Sequence, residues 1–416
     1  MQENPNDLWQ GGPWEQSSRP VLSPLQLNVP TPRPPVLRPK QRKRRWPYVL
    51  LGLILLASIL FGLNRIAAYW PHILESVSPV VPHSGENTTV TSTQPPSIPH
   101  AAVGSGVTVT LLPPTDTPLS HTEIYDKCTP SIVSIFAEGP TGGGSGTGII
   151  LTQDGYLLTN AHVVAGANHV EVVLHNNQVL NAKLVGFDAQ EDLAVLKVDT
   201  HGLTPAQFGN SDALRCGDPV AALGDPLGYR STITEGIISA LDREVSVDNT
   251  TMTLLQTSAA INFGNSGGAL INQYGQVVGI TTIKIVSDDG SAEALGFAIP
   301  SARVKYVADR LIAGQPVKAG MFGFTVSTFP TPNGGLELYS VDPRSNAFAQ
   351  GIRPGDILIA ANGQDITCTQ DLVHMKLTLG AGDTVSLTLL RGETTYTAPV
   401  TLMDAETLRD EGGKHP

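Results

Sequence analysis

From residue 131 onward the chain is written in short runs of aliphatic and β-branched residues. They are SIVSIFAE (131–138), TGIILT (147–152), HVEVVLH (169–175), LAVLKVD (193–199), PVAALG (219–224), GIISALDR (236–243) and GQVVGITTIKIV (275–286). Gly, Asn and Asp punctuate them at short intervals. Runs of this length and branching fit half-buried strands, and their close spacing fits an antiparallel barrel or sandwich. SARVKYVADRLIAG (301–314) is different: a Ser start, apolar residues at three-to-four spacing and a closing Gly predict a helix. A smaller mixed segment follows over 315–404, then a polar tail over 405–416.

Composition agrees with a β-rich chain. Of 416 residues, 41% are hydrophobic and only 15% charged, with 42 Gly and 32 Pro. That disfavours a coiled coil or a helical bundle. The length suits about two to four domains. The net charge of −11 is uneven: residues 1–45 hold eight basic and three acidic side chains, so the remainder carries −16. A folded part this acidic offers no basic face, which argues against nucleic acid as a partner. Three cysteines, Cys128, Cys216 and Cys368, are too few for a disulfide scaffold and too scattered for a zinc site.

Residues 1–45, with nine prolines, read as a disordered tail on the cytoplasmic side ending in Lys40, Arg42, Lys43, Arg44 and Arg45. Trp46 to Asn64 is a run of 19 uncharged residues. At ~1.5 Å per residue it is about 28 Å long, near the thickness of a bilayer's hydrocarbon core. A transmembrane helix is expected over 46–68, with Trp46 and Tyr48 at one interface and Tyr69 and Trp70 at the other. The long preceding tail and the lack of a small-x-small cleavage site weigh against a signal peptide. Basic residues before the span place the N-terminus in the cytoplasm and everything after it outside. Residues 69–120, rich in proline, are expected to be a flexible linker.

Two strings carry chemistry. LLTNAHVV (157–164) sets His162 just after a strand-like run, and INFGNSGGAL (261–270) sets Ser266 among glycines. Between them Asp188 and Asp192 are carboxylate candidates. A serine hydroxyl needs an imidazole to take its proton, and the imidazole needs a carboxylate to fix its tautomer. A Gly-Asn-Ser-Gly-Gly turn can aim amide N–H groups at a developing oxyanion. The order His–Asp–Ser differs from that of α/β-hydrolases and subtilisins. GGGSGTG (142–148) lacks a following Lys-Ser/Thr, so it reads as a close-packed strand rather than a phosphate cradle. His169 and His175 lack the company a metal site requires and read as surface residues.

TNAHVV, DLAVLKV and GNSGG, joined by GDPVAALGDPLG (217–228) and ALGFAIPS (294–301), resemble the bacterial HtrA (DegP-like) serine proteases, over residues 121–403. The resemblance implies a mostly β fold: a chymotrypsin-like double β-barrel over 121–314 and a PDZ domain over 315–404. It implies His162 as base, Asp192 as its orienter and Ser266 as nucleophile. Asp192 is preferred over Asp188 because it directly precedes LAVLKV. The oxyanion hole would be the turn Gly264–Asn265–Ser266, through the Gly264 and Ser266 amides. Ala260, Ile261, Phe263 and Phe297 would shape the substrate pocket. Ala260 stands six residues before the nucleophile, where trypsin-like enzymes carry an acid, so cleavage is expected after small or medium aliphatic residues. Two positions depart from the family string: Ser258 replaces an Asp, and Phe263 replaces a Pro beside the oxyanion turn.

GMFGF (320–324) resembles a PDZ carboxylate-binding loop, with Met321, Phe322, Gly323 and Phe324 as its residues, and AFAQGIRPGDILIAANGQDI (347–366) resembles the PDZ core string. Backbone amides there would capture a C-terminal carboxylate while the peptide adds a strand. The resemblance also implies misfolded or damaged exported proteins as substrates, a homotrimer, and no metal or organic cofactor. Two alternatives stay open: a holdase or PDZ scaffold with a silent barrel, and a protease dedicated to one regulatory substrate. Pairing of Cys128 with Cys216 on the exported side is left open, with Cys368 free.

Overall fold

The computed structural model describes residues 94–407 apart from 115–116, 141, 226–230, 248–249, 263, 286–294 and 406. The tail 1–45 and the expected span 46–68 lie outside these residues. Among the described residues no helix is long and apolar enough to cross a membrane.

Six strands close the first barrel: β1 (Ile132–Gly139), β2 (Gly142–Ile150), β3 (Tyr156–Thr159), β4 (His169–Val173), β5 (Val179–Asp188) and β6 (Leu193–Val198). The ring runs β1-β2-β3-β6-β5-β4 and back to β1. Alternation along each strand sends Val133, Ile135, Val170, Val172 and Leu196 into its interior. The second ring uses β7 (Pro219–Gly224), β8 (Thr232–Val247), β9 (Thr250–Thr257), β10 (Ala269–Asn272), β11 (Val277–Ile285) and β12 (Leu295–Pro300). It runs β7-β8-β9-β12-β11-β10, and β10 pairs back with β7. Val220, Ala222, Ile238, Leu255, Leu270, Val278 and Ala298 fill it. The opposite faces of both rings meet in a third cluster with helix α3 (Ser301–Ala313), through Ile149, Leu158, Val195, Leu223, Phe297, Val304 and Val307. A seam of this kind locks the barrels together.

The expected linker is corrected over its second half. Residues 94–114 are laid against the barrels. Ser97 N donates to Ala167 O at 2.6 Å, Ala101 N to Leu184 O at 2.8 Å and Gly104 N to Ile312 O at 2.7 Å. Ile98 and Val109 are buried, and Leu111–Leu112 pairs with Phe208–Gly209. Spaced apolar residues in a proline-rich stretch supply enough buried surface to order it. A capped helix, α1 (His121–Cys128), follows: Ser120 and Glu123 form its capping box. Cys128 and Cys216 do not pair. Cys128 is buried, with its thiol pushed up to about 11 by burial, and Cys216 is exposed.

The C-terminal sheet has the order β13 (Phe324–Val326), β14 (Leu336–Val341), β15 (Ile357–Ala361), β16 (Thr384–Arg391) and β17 (Thr394–Thr401). Helices α4 (Asn346–Ala349) and α5 (Thr369–Met375) cover its core of Phe322, Leu336, Leu358, Leu372 and Leu387. Strand β13 stands at the end of the sheet.

A histidine joins this domain to the second barrel. His374 in α5 lies with Nδ1 3.2 Å from Asp242 Oδ2 and Nε2 3.6 Å from Asp212 Oδ1. The hydrogen bond to Asp242 raises its pKa, burial opposes this, and the charges of Asp242, Asp212 and Asp371 reinforce the rise. The contact therefore contributes stability below the ordinary histidine value of about 6.5, and that contribution is lost as pH climbs through the raised value. Intrinsic-rate-corrected amide exchange in α5 is expected to quicken as pH rises from about 6.5 through the raised value. In His374→Ala that pH dependence should vanish. An unchanged dependence would remove His374 from the contact.

Candidate active site

His162 sits in a one-turn helix, α2 (Ala161–Val164), that follows β3, and Asp192 ends the turn between β5 and β6. Both come from the first barrel. His162 Nδ1 is 2.9 Å from Asp192 Oδ1 and 3.0 Å from Oδ2, and the His162 backbone N–H donates to the same carboxylate at 3.0 Å. Asp192 is buried, with φ of 49°, a left-handed conformation that costs an aspartate little beyond glycine. Asn160 holds the turn from behind: its Nδ2 donates to Asp192 O at 2.9 Å. Asp188 serves a different purpose, accepting the Gln190 and Glu191 amides at 2.9 Å each. Burial favours the neutral form of the His162 imidazole, but the Asp192 charge and hydrogen bond outweigh it, and the pKa stands above the ordinary histidine value.

Ser266 belongs to the second barrel, on the turn between β9 and β10. Peptide orientation there is fixed by hydrogen bonds to its carbonyls. Thr281 Oγ1 and Gly268 N donate to Asn265 O at 2.5 and 2.8 Å, which turns the following Ser266 N–H the opposite way. Thr147 of β2 holds two more carbonyls, donating from Oγ1 to Gly264 O at 2.6 Å and from its amide to Ser266 O at 2.8 Å. Gly264 has φ of 95° and Gly267 φ of 81°. At Gly267 a Cβ would stand 2.1 Å from Thr147 O, so only glycine lets the turn press against the first barrel. Among the described residues neither the Gly264 nor the Ser266 amide has a hydrogen-bond acceptor. The Asn265 amide differs: it donates to Asn262 O at 3.0 Å, so Asn265 shapes the turn without offering its own N–H.

The Ser266 hydroxyl donates to Thr282 O at 3.1 Å, and no hydrogen bond joins it to His162. Thr282 carries both sides of the site, since its Oγ1 donates to Asp192 Oδ2 at 2.5 Å. Sequence reasoning passed over Thr147 and Thr282. Both lie in ordinary strand runs, and only the meeting of the two barrels gives them partners.

Of the expected pocket residues, Ala260 is exposed, with its carbonyl accepting from Thr234 Oγ1 at 2.9 Å. Ile261 is buried in the second barrel's interior. Phe297 is 4% exposed and faces the inter-barrel seam rather than open space, a correction to its expected place in the pocket wall. Phe263 lies outside the described residues. In the C-terminal domain Met321 is exposed, while Phe322 is buried and stacks on Phe324 with centroids 5.3 Å apart. Gly323 has φ of 78° and packs on Ser345. Among the described residues no group of three His, Cys, Asp or Glu is placed to hold a metal ion.

Comparison with known proteins matches residues 146–280 to the trypsin-like peptidase domain family and 320–402 to the PDZ domain family. The solved structure of the HtrA-type protease AlgW with tripeptide is 32% identical, with a TM-score of 0.56 over 68% of this chain and 97% of that one. The chain belongs to the HtrA-type serine proteases. Curated HtrA-type relatives include a probable periplasmic serine endoprotease, DegP-like, from Chlamydia trachomatis, 38% identical over 63% of this chain and 54% of its own length. Another is the serine protease Do-like HtrB of Bacillus subtilis, 39% identical over 62% of this chain and 61% of its own. The chain thus spans about half the length of the first of these HtrA-type relatives.

Proposed function

We propose that this chain is a serine endopeptidase that hydrolyses peptide bonds through an acyl-enzyme. The observation that carries the reading is the His162–Asp192 pair at 2.9 Å, joined through Thr282 to the Ser266 turn, where among the described residues the Gly264 and Ser266 amides have no protein acceptor. Ser266 attacks the scissile carbonyl, and His162 Nε2 takes its proton and returns it to the leaving amine. Asp192 keeps the Nδ1–H tautomer. The amides of Gly264 and Ser266 receive the oxyanion, each such donor being worth about 3 kcal/mol of barrier. The bond from Ser266 to Thr282 O implies a rotation of the Ser266 side chain toward Nε2 before attack.

The remaining expectations complete the proposal. Residues 46–68 anchor the chain in a membrane with its N-terminus in the cytoplasm, and the folded part acts outside. Misfolded or damaged exported proteins are the substrates, cut after small or medium aliphatic residues. The edge of β13 takes C-terminal peptides, with Phe322, Gly323 and Phe324 supplying amides to the carboxylate. The protease domains assemble as a trimer.

The test is covalent labelling of the full chain by a fluorophosphonate, with the adduct located by peptide mass. Label on Ser266 is expected; a folded chain that takes no label with or without a C-terminal peptide would favour a scaffold. Labelling should also fall as pH drops through a midpoint above about 6.5, because His162 must be neutral to act as base and Asp192 favours its charged form. A flat rate down to pH 4 would exclude His162 as the base.

A further inference from the structure

On the seam face of β1 and β2 an aliphatic rung is followed by a polar one. Ile132 and Ile149 are register partners there and pack into the seam. The next pair on the same face is Ser134 and Thr147, 2% and 0% exposed. The Thr147 amide points away from β1 and donates to Ser266 O at 2.8 Å, so the two hydroxyls belong to a non-hydrogen-bonded pair, in which side chains stand close. Buried hydroxyls beside aliphatic residues cost free energy unless partners meet them.

The partners come from the second barrel. Asp225, the first residue after β7, is held twice: Ser134 Oγ donates to its Oδ2, and its amide donates to Thr147 Oγ1 at 2.9 Å. Gly224 lets the chain come this close, since a Cβ there would stand 3.1 Å from Thr147 Oγ1 and 2.7 Å from Asn265 Oδ1. With the Asp225 amide on its oxygen, the Thr147 hydroxyl turns its single proton to Gly264 O, at 2.6 Å. Hydrogen bonds in series polarise one another, and this series is shielded from water. Thr147 O accepts from Thr159 Oγ1 at 2.8 Å, three residues before His162, so one residue ties the strand that leads to His162 to the turn that carries Ser266.

We propose that Thr147 and Ser134 are positioning residues for the oxyanion donors. This rests on the protease reading above. Thr147 holds the carbonyls on both sides of the Asn265–Ser266 peptide, Gly264 O through its hydroxyl and Ser266 O through its amide. The peptide between them carries the Ser266 N–H. Glycine at 264 makes its own peptide easy to turn, so the hydroxyl supplies a restraint that the residue lacks. Ser134 acts one step further back, fixing Asp225, whose amide aims the Thr147 hydroxyl. The pair orients donors toward a charge that develops only in the transition state, so it acts on kcat rather than on KM.

The experiment uses the full chain, a tripeptide p-nitroanilide with valine before the scissile bond, and the matching peptide aldehyde, whose adduct with Ser266 places an oxygen where the oxyanion forms. In Thr147→Val, which keeps the shape and loses the hydroxyl, kcat is expected to fall about a hundredfold and aldehyde affinity by the same factor, with KM within about twofold of wild type. Thr147→Ser should return kcat to within about threefold of wild type. Ser134→Ala should lower kcat about tenfold, and should cost nothing more when added to Thr147→Val, because it acts through that hydroxyl. A merely structural pair would instead lower the unfolding midpoint and leave the ratio of aldehyde affinity to KM unchanged. Folded Thr147→Val with kcat within about threefold of wild type overturns the proposal, and so do losses that add across the two sites. If Thr147→Val does not fold, Ser134→Ala decides: unchanged kcat and aldehyde affinity overturn it. A wild type that neither cuts the anilide nor takes the fluorophosphonate fails instead at the protease reading.

Discussion

Ser266→Ala is expected to lower kcat for peptide hydrolysis by about a millionfold while leaving the fold unchanged. The hydroxyl makes one hydrogen bond, to Thr282 O, and its loss strands only a carbonyl that keeps a second lone pair. The turn itself is held through the carbonyls of Gly264, Asn265 and Ser266, none of which the substitution touches. Because a nucleophile and its base act as a unit, the proposed roles imply that His162→Ala should cost as much, and the double variant no more than either alone. Unfolding midpoints would show whether the folds match. Residual turnover within about a hundredfold of wild type in folded Ser266→Ala would move the chemistry to another group.

Asp192→Asn carries the second largest expectation, a loss of about ten-thousandfold in kcat. The carboxylate accepts from the His162 amide, from Nδ1 and from Thr282 Oγ1. An asparagine with its oxygen in the place of Oδ1 keeps both His162 donors and turns its NH₂ to Thr282 Oγ1, whereas with its oxygen in the place of Oδ2 its NH₂ meets the His162 amide and Nδ1. Turned toward Nδ1, that NH₂ forces the imidazole to accept there and carry its proton on Nε2, which is the nitrogen Ser266 needs bare. The substitution also removes the charge that raises the His162 pKa, so the small residual rate should persist to lower pH than in wild type. Steady-state kinetics across pH would check both effects. A variant retaining a tenth of wild-type kcat would show that Asp192 does not set the tautomer.

Much of the fold could be read in advance because its strands are local statements. The runs from 131 to 286 alternate correctly by themselves, and TNAHVV, DLAVLKV and GNSGG stand in chain order. What escaped was relational. Residues 94–114 look like linker by composition, yet Ile98 and Val109 find apolar partners that only the folded barrels supply. Phe297 sits inside a recognisable string, but the alternation of β12 puts Ala298 in the barrel interior and turns Phe297 to the seam. Ser134 and Asp225 are 91 positions apart, and neither neighbourhood hints at the other. The Ser266 hydroxyl's choice of Thr282 O is a rotamer, which depends on a carbonyl from a strand that begins after the motif ends.

Both rings of the proposed protease close on themselves, and this bears on its proposed contact with unfolded polypeptide. A sheet with open sides offers rows of unsatisfied N–H and C=O groups on which a stray segment can nucleate an aggregate. Closure removes those rows from the proposed cutting module, so a chain reaching Ser266 is not invited to join the barrel walls. Open margins remain in the C-terminal sheet at β13 and β17, and of these the three-residue β13 is too short to seed a fibre and long enough to grip a tail.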